Sequence, residues 1–452
     1  GFVSLGCSKN LVDTEVMLHH LVEQGYTLVS DDSEADVVII NTCAFIQPAT
    51  EESVRTIAQA IADIEELPKR PLLAVAGCLV GRYHAEDLAP ELPEVDLWLD
   101  NSDLEAWPAM LARKLGLPEP TVPGRILSTG PSYAWLKISD GCRHACSFCA
   151  IPNIRGGHRS HCKDMIVREA RALLDQGVKE LNLVAQDLTE WGCDLDGKQD
   201  LRTLLDGLLP LQGLERLRLM YLYPAGMTHE MLKYLREAGK PFVPYFDVPV
   251  QHSHPDVLSR MGRPFARNPR EAIDRIRNVF PEAALRTSIM VGFPGETEEH
   301  FEHLREFIEE VRFQHLGVFA YRAEEGTPAA AMPDQVEDRV KEWRRDLLME
   351  AQADISAEWL SRFEGDRLSI LVDAPHPEWP GLHTGRAWFQ APEIDGMVYI
   401  SGPGVEPGAL VDADIVECRD YDLVALVHGK NCGVLGEKIL SPAEIYRANF
   451  ML

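Results

Sequence analysis

The rhythm of apolar and polar positions changes twice along the 452-residue chain, which marks out three regions. In the first, Phe2-Val3-Ser4-Leu5 reads as a short strand entering the tight turn Gly6-Cys7-Ser8-Lys9-Asn10. Val12, Val16, Leu18, Leu21 and Val22 recur at helical spacing and predict an amphipathic helix over 12–24, stopped by Gly25. The apolar run at 36–41 predicts a buried strand, 53–66 a second helix and 72–77 a third strand. Strands alternating with helices imply a parallel sheet, here an α/β domain over 1–115. A Pro- and Gly-rich linker is expected at 116–132.

The second region, 133–361, repeats strand and helix six times. Strands are expected at 134–139, 180–185, 216–221, 245–250, 285–291 and 315–320. Helices are expected at 164–176, 200–209, 228–237, 270–279 and 298–311. Six such units predict a partial (β/α)6 barrel with its site at the carboxyl ends of the strands. A long charged helix over 335–362 leads outward. The third region, 362–427, holds short strands at 367–372, 385–388, 397–400 and 410–417 and predicts a small all-β barrel. Residues 428–452 form a tail, helical near 442–448.

Composition adds little to this outline: 45% hydrophobic and 25% charged residues are ordinary for a globular chain. No apolar run is long enough to span a membrane and no signal peptide opens the sequence, so a cytoplasmic protein is expected. The chain opens on a strand without an initiator Met, so it is expected to start a few residues into the natural protein. The net charge of −27 favours basic partners over phosphate backbones. Ten cysteines without short disulfide spacing point to a reducing compartment and metal or redox use.

Cys142, Cys146 and Cys149 stand at C-x3-C-x2-C after the first barrel strand. That spacing can turn three thiolates to one point and leave a fourth metal position open. An iron–sulfur cluster or a zinc ion would each satisfy it, zinc with a fourth ligand from His144, His158, His161 or Cys162. Cys7, Cys43 and Cys78 each follow a strand of the first region. A parallel sheet would bring them to one edge as a second three-thiolate set. Polar residues and glycines follow the other barrel strands: Gln186-Asp187, Tyr221 and Tyr223, Gln251-His252, Gly292 to Glu296, and Tyr321-Arg322.

C-x3-C-x2-C in this place resembles the radical S-adenosylmethionine enzymes. The preceding three-cysteine domain and the following β domain narrow the resemblance to the methylthiotransferase family, whose last domain is a TRAM domain. The resemblance implies that Cys142, Cys146 and Cys149 hold one [4Fe–4S] cluster, and Cys7, Cys43 and Cys78 a second. It implies S-adenosylmethionine as both methyl donor and radical source. Phe148 is placed near the adenine, Gly292 along the adenosyl group and Gln186-Asp187 near the methionine amine, with Gln251 also at the cofactor.

Residues 1–15, 244–254, 332–341 and 391–400 resemble the branch that modifies an aspartate of ribosomal protein S-twelve. The alternative branch modifies a tRNA adenosine and carries Gln-Ser where this chain has Gln251-His252. Residues 362–427 hold four arginines against twelve Asp or Glu, an acidic balance that suits a basic protein better than RNA. The expected partners are that ribosomal protein and an electron donor, without direct nucleic-acid binding, and the chain is expected to be a monomer. One departure stands out: Arg155-Gly156 is followed by Ser160-His161-Cys162, where the family usually has Ser-Arg-Pro. Cys162 is not expected to be a seventh ligand, and Cys193, Cys418 and Cys432 carry no assignment.

Overall fold

The computed structural model describes residues 1–29, 32–100, 106–116, 124–263 and 268–428. The first unit is a four-stranded parallel sheet: β1 (Phe2–Ser4), β2 (Val37–Thr42), β3 (Leu72–Gly77) and β4 (Leu97–Asp100), in that spatial order. β2 is buried at every position, as a strand covered on both faces must be. Helices α1 (Ser8–Glu23), α2 (Gln47–Glu65), α3 (Cys78–Tyr83), α4 (Ala85–Leu88) and α5 (Trp107–Leu115) cover it.

α1 begins four residues before the expected start. Gly6, at φ +96°, makes the turn alone, so Ser8 to Leu11 are already helical and Cys7 is the N-cap. α2 also starts earlier, because Pro48 fits the first turn of a helix, where no N–H is needed. β4, α3 and α5 are not anticipated by the apolar pattern; each is short.

The second unit contains β5 (Tyr133–Lys137), the small hairpin β6 (Ser139–Asp140) and β7 (Arg159–Ser160), and α6 (Ile151–Arg155) between the hairpin arms. It continues through α7 (Lys163–Asp175), β8 (Glu180–Val184), α8 (Leu201–Leu208), β9 (Arg216–Leu219), α9 (His229–Ala238) and β10 (Phe242–Asp247). Then come α10 (Pro255–Arg260), α11 (Pro269–Val279), β11 (Ala284–Val291), α12 (Glu298–Val311) and β12 (His315–Ala320). Six parallel strands stand in the order β12-β11-β10-β9-β8-β5, each beside the next in sequence. The sheet does not close, which makes it the partial barrel expected. β10 lies three residues earlier than predicted, since Pro249 has no N–H to give a ladder there.

Side chains alternate across this sheet. Ala134, Leu136, Leu181, Leu183, Leu217, Leu219 and Phe246 pack against the helices in the largest core. Tyr133, Trp135, Val184, Met220, Val243 and Tyr245 face the other way and share a core with the third unit.

α13 (Asp338–Ser361) leads to a closed five-stranded barrel of β13 (Arg367–Pro375), β14 (Leu382–Arg386), β15 (Val398–Ser401), β16 (Leu410–Cys418) and β17 (Leu423–Leu426). β17, absent from the expected strands, closes it by pairing parallel to β15 and antiparallel to β16. This barrel meets the starts of the central strands. Tyr133 donates to Glu393 at 2.6 Å, Arg216 donates to the Ser369 carbonyl at 2.8 Å, and Arg386 donates to both oxygens of Glu180 at 3.0 Å. It therefore caps the amino-terminal end of the partial barrel and leaves the carboxyl ends to the first unit.

The described part of the Pro/Gly-rich segment, 124–132, is pinned rather than free. Arg125 is buried and pairs with Glu15 of α1 at 2.5 Å and Glu169 of α7 at 2.9 Å. The helix expected at 442–448 and Cys432 lie outside the described residues, as does most of the proposed tail.

Candidate metal centres and cofactor site

The loop carrying Cys142, Cys146 and Cys149 leaves the β6 arm through Gly141, which has φ +67°. A Cβ at Gly141 would sit 2.1 Å from the Gly157 carbonyl oxygen, so only glycine fits. The loop closes where the Cys142 N–H donates to the Gly156 carbonyl at 3.2 Å, and turns where the Cys149 N–H donates to the Cys146 carbonyl at 3.2 Å. Its middle is held from below: the Ser147 N–H donates to Met261 and the Ser147 hydroxyl to Arg260, while the Ser147 carbonyl accepts from Ala329.

All three thiols are half-buried, and burial pushes Cys142 up to about 11, Cys149 up to about 12 and Cys146 upward as well. Cys149 feels the charge of both other thiols. Arg263 opposes the rise most at Cys146, where it also hydrogen-bonds the sulfur.

The other three cysteines sit at the carboxyl edge of the first sheet, as the strand pattern implied. Cys7 caps α1, Cys43 directly follows β2, and Cys78 is the first residue of α3. Gly6 passes so close to Cys43 that a Cβ there would lie 2.8 Å from that of Cys43. Helix starts present N–H groups and positive dipole ends, which favour thiolates. Burial raises Cys43 to about 11 and also raises Cys78. At Cys7 burial acts upward too, but Lys9, Arg155 and backbone N–H groups outweigh it and the thiol falls below its ordinary value.

Elements that carry the two sets meet at one junction between the units. Cys78 and Leu79 of α3 pack in one core with Ala150 and Ile154, which begin and line α6 just after Cys149. Ion pairs seal the junction: Lys137 and Arg155 of the second unit each bind Asp13 of the first and Asp140 of the hairpin. Lys9 lies over the Tyr221 ring at 4.1 Å.

The donor set distinguishes zinc from a larger cluster. A tetrahedral zinc ion with Zn–S near 2.3 Å would hold its sulfurs within about 4 Å of one another. Among the described residues, the groups of three donors all within 4.8 Å are His158/Cys193/Asp194, His254/Asp256/His300 and His144/Asp187/Glu190; neither cysteine triad is that tight. The candidate fourth zinc ligands are also engaged elsewhere. His144 bonds Asp187 at 2.6 Å, His158 bonds Ser160 at 3.0 Å and His161 faces Asp140 at 3.4 Å. Cys162 is exposed and caps α7. Three all-thiolate corners at wider spacing suit an iron–sulfur cube with one open iron.

The remaining predicted residues gather at the mouth in different ways. Phe148 packs in one apolar group with Phe293, Met261 and Tyr321, which brings it beside the Gly292 turn after β11. Gly292 has φ +72°, and its N–H donates to Glu296 at 2.8 Å. Gln186 has both amide atoms buried without a hydrogen-bond partner, the mark of a side chain that expects a polar ligand. Asp187 differs: one oxygen accepts from His144, the other from the Thr189 N–H at 2.8 Å and its hydroxyl at 2.6 Å. Its carboxylate orients the cysteine loop. Gln251 sits at φ +69° and bridges Ile289 through its backbone.

Sequence patterning missed Arg155 and Arg263. Each is a buried guanidinium beside a cysteine sulfur, and no local motif announces such a contact. It also did not anticipate the stacking of the His144 ring on Tyr223 at 4.2 Å, with Arg263 over the tyrosine ring at 4.6 Å.

Residues 1–100 match an uncharacterized protein family, UPF0004, residues 136–308 the Radical SAM superfamily and residues 365–427 the TRAM domain. Among solved structures, the cobalamin-binding radical S-adenosylmethionine methyltransferase TsrM from Kitasatospora setae shares the fold, with TM-score 0.54 at 15% identity, 84% of this chain and 75% of that one being covered. The ribosomal protein uS12 methylthiotransferase RimO of Nitratidesulfovibrio vulgaris strain DP4 is 69% identical over 94% of this chain and 99% of its own. That of Lawsonia intracellularis is 60% identical over 94% and 96%. At this identity over nearly the whole length, the chain belongs to the RimO family of radical S-adenosylmethionine methylthiotransferases.

Proposed function

We propose that this chain adds a methylthio group to the β-carbon of an aspartate in ribosomal protein uS12, the substrate after which its relatives are named. The observation that carries the reading is the direct packing of α3, which begins at Cys78, on α6, which follows Cys149. That packing supports a reading with two thiolate sites, each with an open fourth position, at one domain junction. In this reading Cys142, Cys146 and Cys149 hold one [4Fe–4S] cluster and Cys7, Cys43 and Cys78 the other. When loaded, these groups and S-adenosylmethionine supply a carbon radical able to break an unactivated C–H bond, together with the sulfur that replaces the hydrogen.

The protein's own residues orient and exclude water. The unpaired Gln186 amide offers a donor and an acceptor to the polar part of S-adenosylmethionine. Phe148 and the Gly292 turn offer an apolar wall and an exposed backbone to its adenosyl part, and Gln251 completes the rim. Asp187 holds His144, and through it the cysteine loop.

The third unit suits a basic protein substrate. Three of its four arginines are spent on carboxylates: Arg386 on Glu180 and Asp373, Arg367 on Asp414, and Arg419 on Glu417. Its remaining charge is acidic, which favours a cationic ribosomal protein over RNA. No described helix is long and apolar enough to cross a membrane. A cytoplasmic monomer served by a separate electron donor completes the reading.

Mass spectrometry of uS12 and bulk tRNA after incubation with reconstituted enzyme tests it. Thiomethylated uS12 is expected; product on tRNA alone would refute the substrate assignment. Cys146→Ala should abolish S-adenosylmethionine cleavage, whereas Cys43→Ala should spare cleavage and stop thiomethylation.

A further inference from the structure

Arg155 ends α6, six residues after Cys149, and is 8% exposed. Its carbonyl-side neighbour Gly156 closes the barrel cysteine loop on the Cys142 N–H. Its side chain leaves that loop and enters the first unit. One Nη2 proton points at the Cys78 sulfur at 3.6 Å, and Nη2 also donates to the Asn10 side-chain oxygen at 3.1 Å and to Asp13 at 3.1 Å. Nη1 donates to Asp13 at 3.2 Å and to Asp140 at 2.9 Å. The guanidinium is thereby fixed in a plane by two carboxylates from different units, with no freedom to swing away from the sulfur. Its charge reaches Cys7, Cys43 and Cys78 alike.

A cation and an N–H···S bond at a ligand sulfur stabilise the more negative, reduced form of an iron–sulfur cluster, and so raise its reduction potential. We propose that Arg155 is a positioning residue of the barrel loop that sets the reduction potential of the cluster at Cys7, Cys43 and Cys78, tying the seating of one site to the redox poise of the other. This rests on the reading that those three cysteines hold a cluster. Reduction of that cluster takes one electron from an external reductant, and no bond forms or breaks. Asp13 and Asp140 have a supporting part: they neutralise the guanidinium in a dry junction where an unpaired charge would be costly.

The test uses the full chain carrying Cys142→Ala, Cys146→Ala and Cys149→Ala, so that only the first-domain site loads. After anaerobic reconstitution with iron and sulfide, about four irons per chain are expected; a background without them overturns the cluster reading itself. Dithionite titration with mediators, followed by electron paramagnetic resonance of the reduced cluster, then gives the midpoint. Asp13→Asn is compared with Asp13→Asn/Arg155→Met, which leaves Lys137 and Asp140 paired in the junction. At the potential where the Asp13→Asn protein is half reduced, the double variant should show a reduced-to-oxidised ratio at least tenfold lower, about 59 mV for one electron. Loss of iron by the double variant moves the midpoint measurement to Arg155→Lys. Full loading with an unshifted midpoint overturns it. If the double variant does not fold, Arg155→Lys decides: it keeps the charge but not the forked contact, so a smaller shift in the same direction is expected, and no shift refutes the proposal.

Discussion

Replacing Glu180 by Gln should loosen the C-terminal barrel from the central sheet. Glu180 opens β8 with no exposure to solvent and is the hub of three arginines. Arg218 lies 3.0 Å away, Arg386 of the C-terminal barrel donates to both carboxylate oxygens at 3.0 Å, and Arg216 stands at 3.8 Å. Burial alone would raise the carboxyl, but Arg386, Arg218 and Arg216 reverse this and pull it from an ordinary 4.5 down to about 2. At about 1.36 kcal/mol per factor of ten in acidity, the ionised form is favoured by roughly 3 kcal/mol net of the burial penalty. That matches the 3–5 kcal/mol typical of removing one member of a buried pair, since the guanidiniums are left behind without a counter-charge.

Hydrogen exchange of the amides in 367–426 reads the loss directly, because local opening free energy sets their protection. Glu180→Gln should speed exchange there by roughly two powers of ten, with β1 to β4 unchanged. Because the folded value is depressed, the stabilisation is present above about pH 4.5 and is lost as pH falls toward about 2. The difference between apo forms of the parent and the variant should therefore shrink in acid. A change below about threefold at neutral pH would refute the reasoning, and would mean that the apolar contacts of Tyr133, Trp135 and Tyr245, with the Tyr133–Glu393 and Arg216–Ser369 hydrogen bonds, carry the interface without Glu180.

Two further outcomes concern the cluster sites. Gly141→Ala forces a Cβ against the Gly157 carbonyl at a left-handed φ, so reconstituted protein should lose about half its iron while the first-domain site still loads; full iron content would show that the loop can yield. Because burial raises Cys142 and Cys43 to about 11 and Cys149 to about 12, these thiols are protonated near neutral pH and must release protons on ligation. Loading should strengthen as pH rises through 7 to 9, and the first-domain site, where Cys7 is lowered, should release fewer protons than the barrel site. Proton release measured in weak buffer during anaerobic reconstitution checks this, and equal release from both sites would contradict the electrostatics of Cys7.

Much of the architecture was legible because local patterns encode it. The apolar runs of β2 and β3, the helical spacing of α1 and the six strand–helix repeats each carry their own signal, and the six cysteines could be singled out by spacing and by their place after strands. Boundaries failed where one residue redirects the chain: Gly6 moved the start of α1 and turned Cys7 into its cap, and Pro249 ended β10 early. Four-residue elements such as β4 and β17 are too short for a period to show, and only the neighbours that pair with them fix them.

What tertiary structure alone decided is which distant charges meet. Nothing near Glu180 in the sequence announces Arg386, and nothing near Cys78 announces Arg155. Asp187 reads as a ligand contact along the chain, yet in space its oxygens are taken by His144 and Thr189. The tight C-x3-C-x2-C set could be assigned to a metal from the chain, because its ligands are close in sequence. The geometry of Cys7, Cys43 and Cys78 depends on three strands lying side by side, and the relation of the two sets depends on α3 packing on α6. Periodicity reports the burial of each residue against an average interior. Ion pairs and adjoining metal sites depend on a particular partner, and that partner is chosen only when the units dock.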